Sequence, residues 1–263
     1  MMVANEVDKR LLERLLSDGR TSLRRIALDI GMSPSLAAYK FKVFLREGII
    51  RKFTAYVDPA WLGYSKAYVV VEPGASMQRY VALFRCIEGY DIYELPFRGS
   101  EDLGGILRDL GSSSVKVLMV SERRRSLGRL DRAILRILSR HPRASISQIA
   151  EELDVPYATI ARRLRRLSNN RVFRIIPIID LEKSGVSLLS VYTRRKREVL
   201  ASLGVFSSRI VWDFGSDGEG LVTLFAYTKM EARKIAEAIK ASDPESMVTI
   251  KYEYDFKSPD HLL

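Results

Sequence analysis

The sequence predicts an α+β chain in which two kinds of module alternate along 263 residues, each kind present twice. Three observations carry that prediction. First, the chain repeats itself. With Asp8 set against Asp131, Leu12 meets Leu135, Leu15 meets Leu138, Arg20 meets Arg143, Ser22 meets Ser145 and Ile26 meets Ile149 at one constant spacing. The match runs on through Ala38 with Ala161 and Arg51 with Arg174, and after one deletion it pairs Asp58 with Asp180 and Gly63 with Gly185. Second, charge follows the repeat. Of a formal net charge of +11, residues 1–62 carry +4 and residues 121–180 carry +8, whereas 63–120 carry −1 and 181–263 carry 0. Third, the apolar period is helical in the basic blocks and mixed, strand with helix, in the neutral ones.

Each basic block reads as three helices followed by a strand pair. In the second, Leu130, Ile134, Leu135 and Leu138 have helical spacing up to His141-Pro142. Ser145 caps a short helix with Ile146, Ile149, Ala150 and Leu153, and a third helix runs from Tyr157 to Ser168. In the first, Gly19, Thr21 or Ser22, Gly31, Ser33-Pro34 and Gly48 give the same punctuation. The β-rich stretches Ile50–Val57 and Val172–Ile179 close the two blocks. Helix, helix, tight turn, helix and strands is the order of a winged helix-turn-helix.

The last neutral block reads strand (Leu188–Tyr192), helix (Arg197–Leu203), two strands (Ile210–Phe214 and Leu221–Tyr227), helix (Met230–Lys240) and a final strand through Phe256. This βαββαβ order is ferredoxin-like. The first neutral block reads as an abridged version. Ala67–Glu72 is a strand, Met77–Ile87 a helix and Ile92–Phe97 a strand, and the second helix is reduced to Leu103–Leu110, broken by Gly104-Gly105, before the strand Val115–Val120. The expected boundaries are therefore 1–62, 63–120, a basic linker at 121–129, 130–182 and 183–263.

Composition excludes several classes. With 47% hydrophobic and 29% charged residues the chain suits a packed globular protein, and no run approaches the roughly 18 apolar residues of a membrane helix. The start lacks the basic-then-apolar order of a signal peptide. Cys86 is the single cysteine and no Cys/His cluster offers a metal site, so a cytoplasmic protein without cofactor is expected. The basic blocks fit nucleic acid, an anionic membrane surface or a solvated basic face that serves solubility.

Asp8 with Leu11-Leu12, Asp18-Gly19-Arg20-Thr21-Ser22, Gly31-Met32-Ser33-Pro34-Ser35, Glu47-Gly48-Ile49-Ile50 and Asp58-Pro59 with Leu62-Gly63 resemble the Lrp/AsnC, or feast/famine, family of transcription regulators. So do Leu130-Asp131, Arg143-Ala144-Ser145, Tyr157 to Leu167, and Asp180 with Gly185 in the second copy. The chain resembles a fused tandem of the family's usual single copy. The resemblance implies double-stranded DNA as partner, read by the third helix. It also implies homodimer pairing through the ferredoxin-like modules, which are of the regulation-of-amino-acid-metabolism type, and a small effector such as an amino acid.

At about 100° per residue, the second copy's third helix turns Ile160, Leu164 and Leu167 inward. Ala158, Thr159, Arg162, Arg165 and Arg166 then face outward with Arg163 at the flank, and no acid lies between Asp154 and Asp180. Such arginines bridge phosphates and offer paired donors to guanine. In the first copy Ala37, Phe41 and Phe44 turn inward, and Ser35, Leu36, Tyr39, Lys42 and Val43 outward, with Lys40 at the flank. This face is less basic and partly apolar, which fits a protein contact as well as DNA. Lys40, Lys42, Arg51, Lys52 and Arg174 complete the expected phosphate contacts, with Arg123-Arg124-Arg125 of the linker following the backbone. Asp154-Val155-Pro156 replaces the Gly-x-Ser turn and Arg171 stands where the first copy has Gly48, so Asn169-Asn170 is expected to supply the left-handed cap.

The family's effector signature falls on Gly215-Ser216-Asp217-Gly218-Glu219-Gly220. There backbone amides would meet a carboxylate, and Asp217 or Glu219 an amine. An enzymatic alternative exists, because sirohaem decarboxylases resemble this family in both modules, but they use histidines of the βαββαβ module. The two histidines here are His141, in a helix-terminating His-Pro, and His261, beyond the last strand, and neither lies where that resemblance needs one.

Overall fold

The structure, a computed structural model, describes residues 5–75, 77–109, 116–121, 126–215 and 218–263. Arg123, Arg124, Arg125 and Asp217 of the expected contacts fall outside these residues.

The first helical block folds as α1 (Glu6–Ser17), α2 (Leu23–Ile30) and α3 (Pro34–Arg46), followed by β1 (Ile50–Val57). Asn5 and Asp8 cap α1 reciprocally, Ser22 accepts from Arg25 N–H to start α2, and Ser33 with Pro34 at the first turn starts α3. The first β module comprises β2 (Ser65–Val71), β3 (Ala82–Cys86), β4 (Tyr90–Phe97), α4 (Ser100–Asp109) and β5 (Lys116–Ser121). The second copy follows with α5 (Arg129–Arg140), α6 (Ile146–Leu153), α7 (Tyr157–Asn169), β6 (Phe173–Ile179) and α8 (Leu181–Ser184). Its β module comprises β7 (Ser187–Thr193), α9 (Lys196–Ser202), β8 (Ile210–Gly215), β9 (Gly220–Ala226), α10 (Lys229–Ser242) and β10 (Met247–Phe256). Strand order is β5-β2-β4-β3 in the first module and β10-β7-β9-β8 in the second, the same permutation in both.

Four expectations are corrected. Among the described residues the abridged module shows no first helix, whereas its second is present: the stretch read as helix over Met77–Ile87 contains the strand β3. Val81, Ala82, Leu83 and Phe84 are all buried there, so apolar residues fall on consecutive positions and hide the two-residue period. Conversely α4 runs through Gly104 and Gly105, where a methyl group would meet nothing. Each helical block supplies one strand, not a pair, and β1 pairs with β6. Val43, expected outward, is buried on the side where its equivalent Arg166 meets α5, and Phe41, expected inward, is half-buried.

The cap of α7 also differs from the expectation. Asn170 is not left-handed (φ −83°), whereas Arg171 itself takes φ 54°, as Asp154 takes 50°. Their equivalents Gly48 and Gly31 hold the same region without a Cβ penalty. Arg171→Gly is accordingly expected to raise stability by about 1 kcal/mol, the cost of a left-handed side-chain-bearing residue, as a shift in urea midpoint at unchanged slope. A midpoint that falls would show that the arginine side chain outweighs its backbone strain.

Two compact units make up the chain. The first contains Met1–Lys52, Phe84–Ile92 and Pro177–Tyr254, and the second Phe53–Leu83, Tyr93–Ile176 and Asp255–Leu263. Each thus joins the three helices of one copy to most of the β module of the other. In the first unit α9 and α10 cover one face of the sheet through Leu189, Val191, Val222, Leu224, Val199 and Ile235. There α1 meets β8: Trp212 Nε1 donates to the Leu16 carbonyl (3.2 Å), Lys9 Nζ to the Tyr227 carbonyl (2.7 Å), and Tyr227 OH to Glu13. In the second unit Ala67, Val69, Leu95 and Ile106 form a core, and α5 is tied to the C-terminal segment by Arg136 donating to the Leu263 carbonyl (2.8 Å). Buried Glu94 accepts from Tyr56 (2.8 Å) and Tyr68 (2.9 Å) there. Among the described residues no helix is long and apolar enough to cross a membrane.

Candidate nucleic-acid interface

The third helices α3 and α7 carry the expected contacts, and equivalent positions can be read against each other. Inward, Ile160, Leu164 and Leu167 of α7 are buried as the periodicity requires, and Ala37 and Phe44 of α3 likewise. Outward, α7 exposes Ala158, Arg162, Arg165 and Arg166, with Thr159 and Arg163 half-buried. The same arc of α3 exposes Ser35, Leu36, Tyr39 and Lys42. Tyr39 is thus the counterpart of Arg162, and Lys42 of Arg165.

Not all these cations are free. Arg163 Nη1 stands 3.4 Å from the buried carboxylate of Asp131 on α5, and Arg166 Nη2 hydrogen-bonds to the same carboxylate. In the first copy Lys40 Nζ lies 2.5 Å from Asp8 and is 19% exposed. Arg162 and Arg165, by contrast, have no acidic partner among the described residues. Asp8 and Asp131 were missed as site residues, although they anchor the repeat in register and each precedes its partner cation by the same interval. Arg51 is half exposed and pairs with Asp180 (2.8 Å) and Glu253 (3.7 Å); the Asp180 hydrogen bond raises the guanidinium's pKa despite partial burial. Lys52 is exposed, and its equivalent region in the second copy places Arg174 half-buried in β6.

A family described as winged helix-turn-helix DNA-binding matches residues 5–51 and 127–172, the two helical blocks. The HTH-type transcriptional regulator FL11 of Pyrococcus abyssi is 32% identical over 121 residues, which are 41% of this chain and 80% of that protein. LrpA of Pyrococcus horikoshii is 38% identical over 61 residues, 23% of this chain and 43% of that one. This chain belongs to the Lrp/AsnC family of transcription regulators. It is a DNA-binding regulator with two helix-turn-helix copies. A solved siroheme decarboxylase, NirDL, has a TM-score of 0.47 at 14% identity over 96% of this chain and 93% of that one, a distance at which likeness does not bear on chemistry.

In this Lrp/AsnC chain Gly215 and Gly220 of the glycine-rich stretch are partners at the end of the antiparallel β8–β9 pair. Gly215 has φ 101° and a Cβ there would stand 2.7 Å from the Glu219 carbonyl oxygen, and a Cβ on Gly220 would collide with the Phe214 carbonyl. Close backbone approach therefore accounts for both glycines. Gly218 is exposed and its carbonyl accepts from Lys196 N–H (2.9 Å) at the start of α9, and Glu219 is half-buried. His141 forms the C-cap of α5, and His261 Nδ1 lies 2.9 Å from the Ser258 carbonyl.

Proposed function

We propose that the second helix-turn-helix is the main DNA reader of this regulator, with Arg162 and Arg165 of α7 as its principal cations. The observation that carries this reading is their exposure without an acidic partner among the described residues, where the first copy offers Tyr39 and Lys42 and holds Lys40 on Asp8. Free guanidinium groups on a third helix reach phosphate oxygens and guanine O6 and N7. Thr159 borders this arc. Ser35, Tyr39, Lys42, Arg51, Lys52 and Arg174 act as phosphate or auxiliary contacts in the same reading, which divides the chain at residues 62, 120, 129 and 182. Duplex binding by Arg162→Ala/Arg165→Ala is expected to weaken about a hundredfold, since each such contact contributes about 1–3 kcal/mol. Tyr39→Ala/Lys42→Ala is expected to cost less than tenfold. Equal losses, or a larger loss from the first-copy pair, would overturn the asymmetry.

A small effector such as an amino acid, met at Gly215, Gly218 and Glu219, belongs to the same reading through the family resemblance, as do homodimer pairing through the β modules and a cytoplasmic, non-enzymatic role. Calorimetric titration with free amino acids tests the effector, and absence of heat with every one of them would remove it. Light scattering tests the pairing. His141 caps α5 and His261 follows the last strand of its module, so neither is carried by a strand or helix of the βαββαβ core, which supports a regulator over a tetrapyrrole enzyme.

A further inference from the structure

The two copies diverge at one carboxylate. Asp131, its side chain 2% exposed, faces two guanidinium groups of α7, those of Arg163 and Arg166. Asp8 faces one cation, Lys40, and the residue equivalent to Arg166 is Val43, buried in the core. One negative charge therefore restrains two of the four arginines on the helix that also carries Arg162 and Arg165. Arg166 is 53% exposed and Arg163 33%, so both lie within reach of a nucleic acid if released. Their release would leave a buried carboxylate uncompensated, which is strongly unfavourable. A cation already neutralised by a carboxylate also has little charge left with which to displace counterions from DNA.

We propose that Asp131 limits how many arginines of α7 engage phosphate and so restrains sequence-blind binding by the second helix-turn-helix. It is a positioning residue, acting through Arg163 and Arg166, and the inference rests on α7 being the main reader. The second copy combines a heavily basic helix with an internal counter-charge, which leaves Arg162 and Arg165 as its free cations. Sequence-independent affinity grows with every phosphate neutralised, so withholding two arginines favours sites where base contacts add to it.

The test is the salt dependence of binding by the full chain to a mixed-sequence duplex. Wild type is expected to show log K falling linearly with log salt; no binding, or a salt-insensitive complex, would sink the α7 reading itself. If wild type behaves as expected, Asp131→Asn keeps the side-chain shape, removes the charge, and is expected to steepen the slope by about 0.9 for each arginine released. Affinity at low salt should rise several-fold. A folded Asp131→Asn with the wild-type slope overturns the proposal. Arg166→Gln and Arg165→Gln decide the matter even if Asp131→Asn fails to fold. Arg166→Gln is expected to flatten the slope by less than half as much as Arg165→Gln, and equal flattening would show that Asp131 restrains nothing.

Discussion

Lys251 by itself makes the unfolding free energy rise between pH 7 and pH 10, by up to about 1.4 kcal/mol per unit, while burial of Cys86, Tyr56 and Tyr254 raises their pKa values and acts in the opposite sense at the alkaline end. The Lys251 ammonium sits inside the sheet of the first unit, hydrogen-bonded to Ser190 Oγ and 4.4 Å over the Phe84 ring, with Ser190 in turn 2.6 Å from Thr223 Oγ1. Burial lowers its pKa from 10.5 to about 7, only partly opposed by Cys86 and Glu88. Below pH 7 folded and unfolded chains both hold the proton and Lys251 contributes no slope. Between 7 and the unfolded value of about 10.4 the unfolded chain binds more protons, so stability grows with pH, by about 4 kcal/mol across the window. Lys251→Met removes the burial penalty and is expected to exceed wild type at pH 7 by about 3 kcal/mol, allowing about 1 for the lost hydrogen bond. The advantage should vanish towards pH 10. Urea titrations at both pH values check this, and a constant difference would mean that Lys251 does not titrate in that range.

Trp212→Ala is expected to cost about 3–5 kcal/mol, the range for a large buried aromatic. Trp212 is fully buried on β8, its ring edge-on to Tyr254 at 5.1 Å and tilted against Phe84 at 6.4 Å. Its indole N–H also satisfies the carbonyl of Leu16 in the last turn of α1, one of the acceptors a helix end leaves open. The loss should therefore appear twice, in the denaturant midpoint and as faster hydrogen exchange along α1 than along α7. Trp212→Phe retains most of the packing and isolates the hydrogen bond, worth about 1 kcal/mol. A Trp212→Ala variant within 1 kcal/mol of wild type would show that the site collapses around the vacancy.

Much of the local structure was legible because its causes are local. Ser22, Ser33-Pro34 and Ser145 start helices by satisfying N–H groups within their own first turn, and these starts agree with the structure. The inward stripe of α7 follows from the helical period alone. Legibility ended where a residue's environment comes from distant chain. Val-Ala-Leu-Phe at positions 81–84 has no clean period, and only the partners of β3 make it a strand. In β10 Thr249, Lys251, Glu253 and Asp255 alternate with Val248, Ile250, Tyr252 and Tyr254 and read as a polar side, yet Thr249 and Lys251 are buried. The arginines of α7 could be counted in sequence, but which of them are held depends on Asp131, two helices away. Nothing in periodicity says that the helices of one copy pack with the β module of the other.

That last pairing has a consequence for how the protein is made. Leu16 and Trp212 are separated by 196 residues. At about 5–20 residues per second of synthesis, the end of α1 waits roughly 10–40 s after leaving the ribosome before the indole that satisfies it exists. The end of α1 in the first helix-turn-helix is therefore satisfied only after β8 of the other copy has been synthesised.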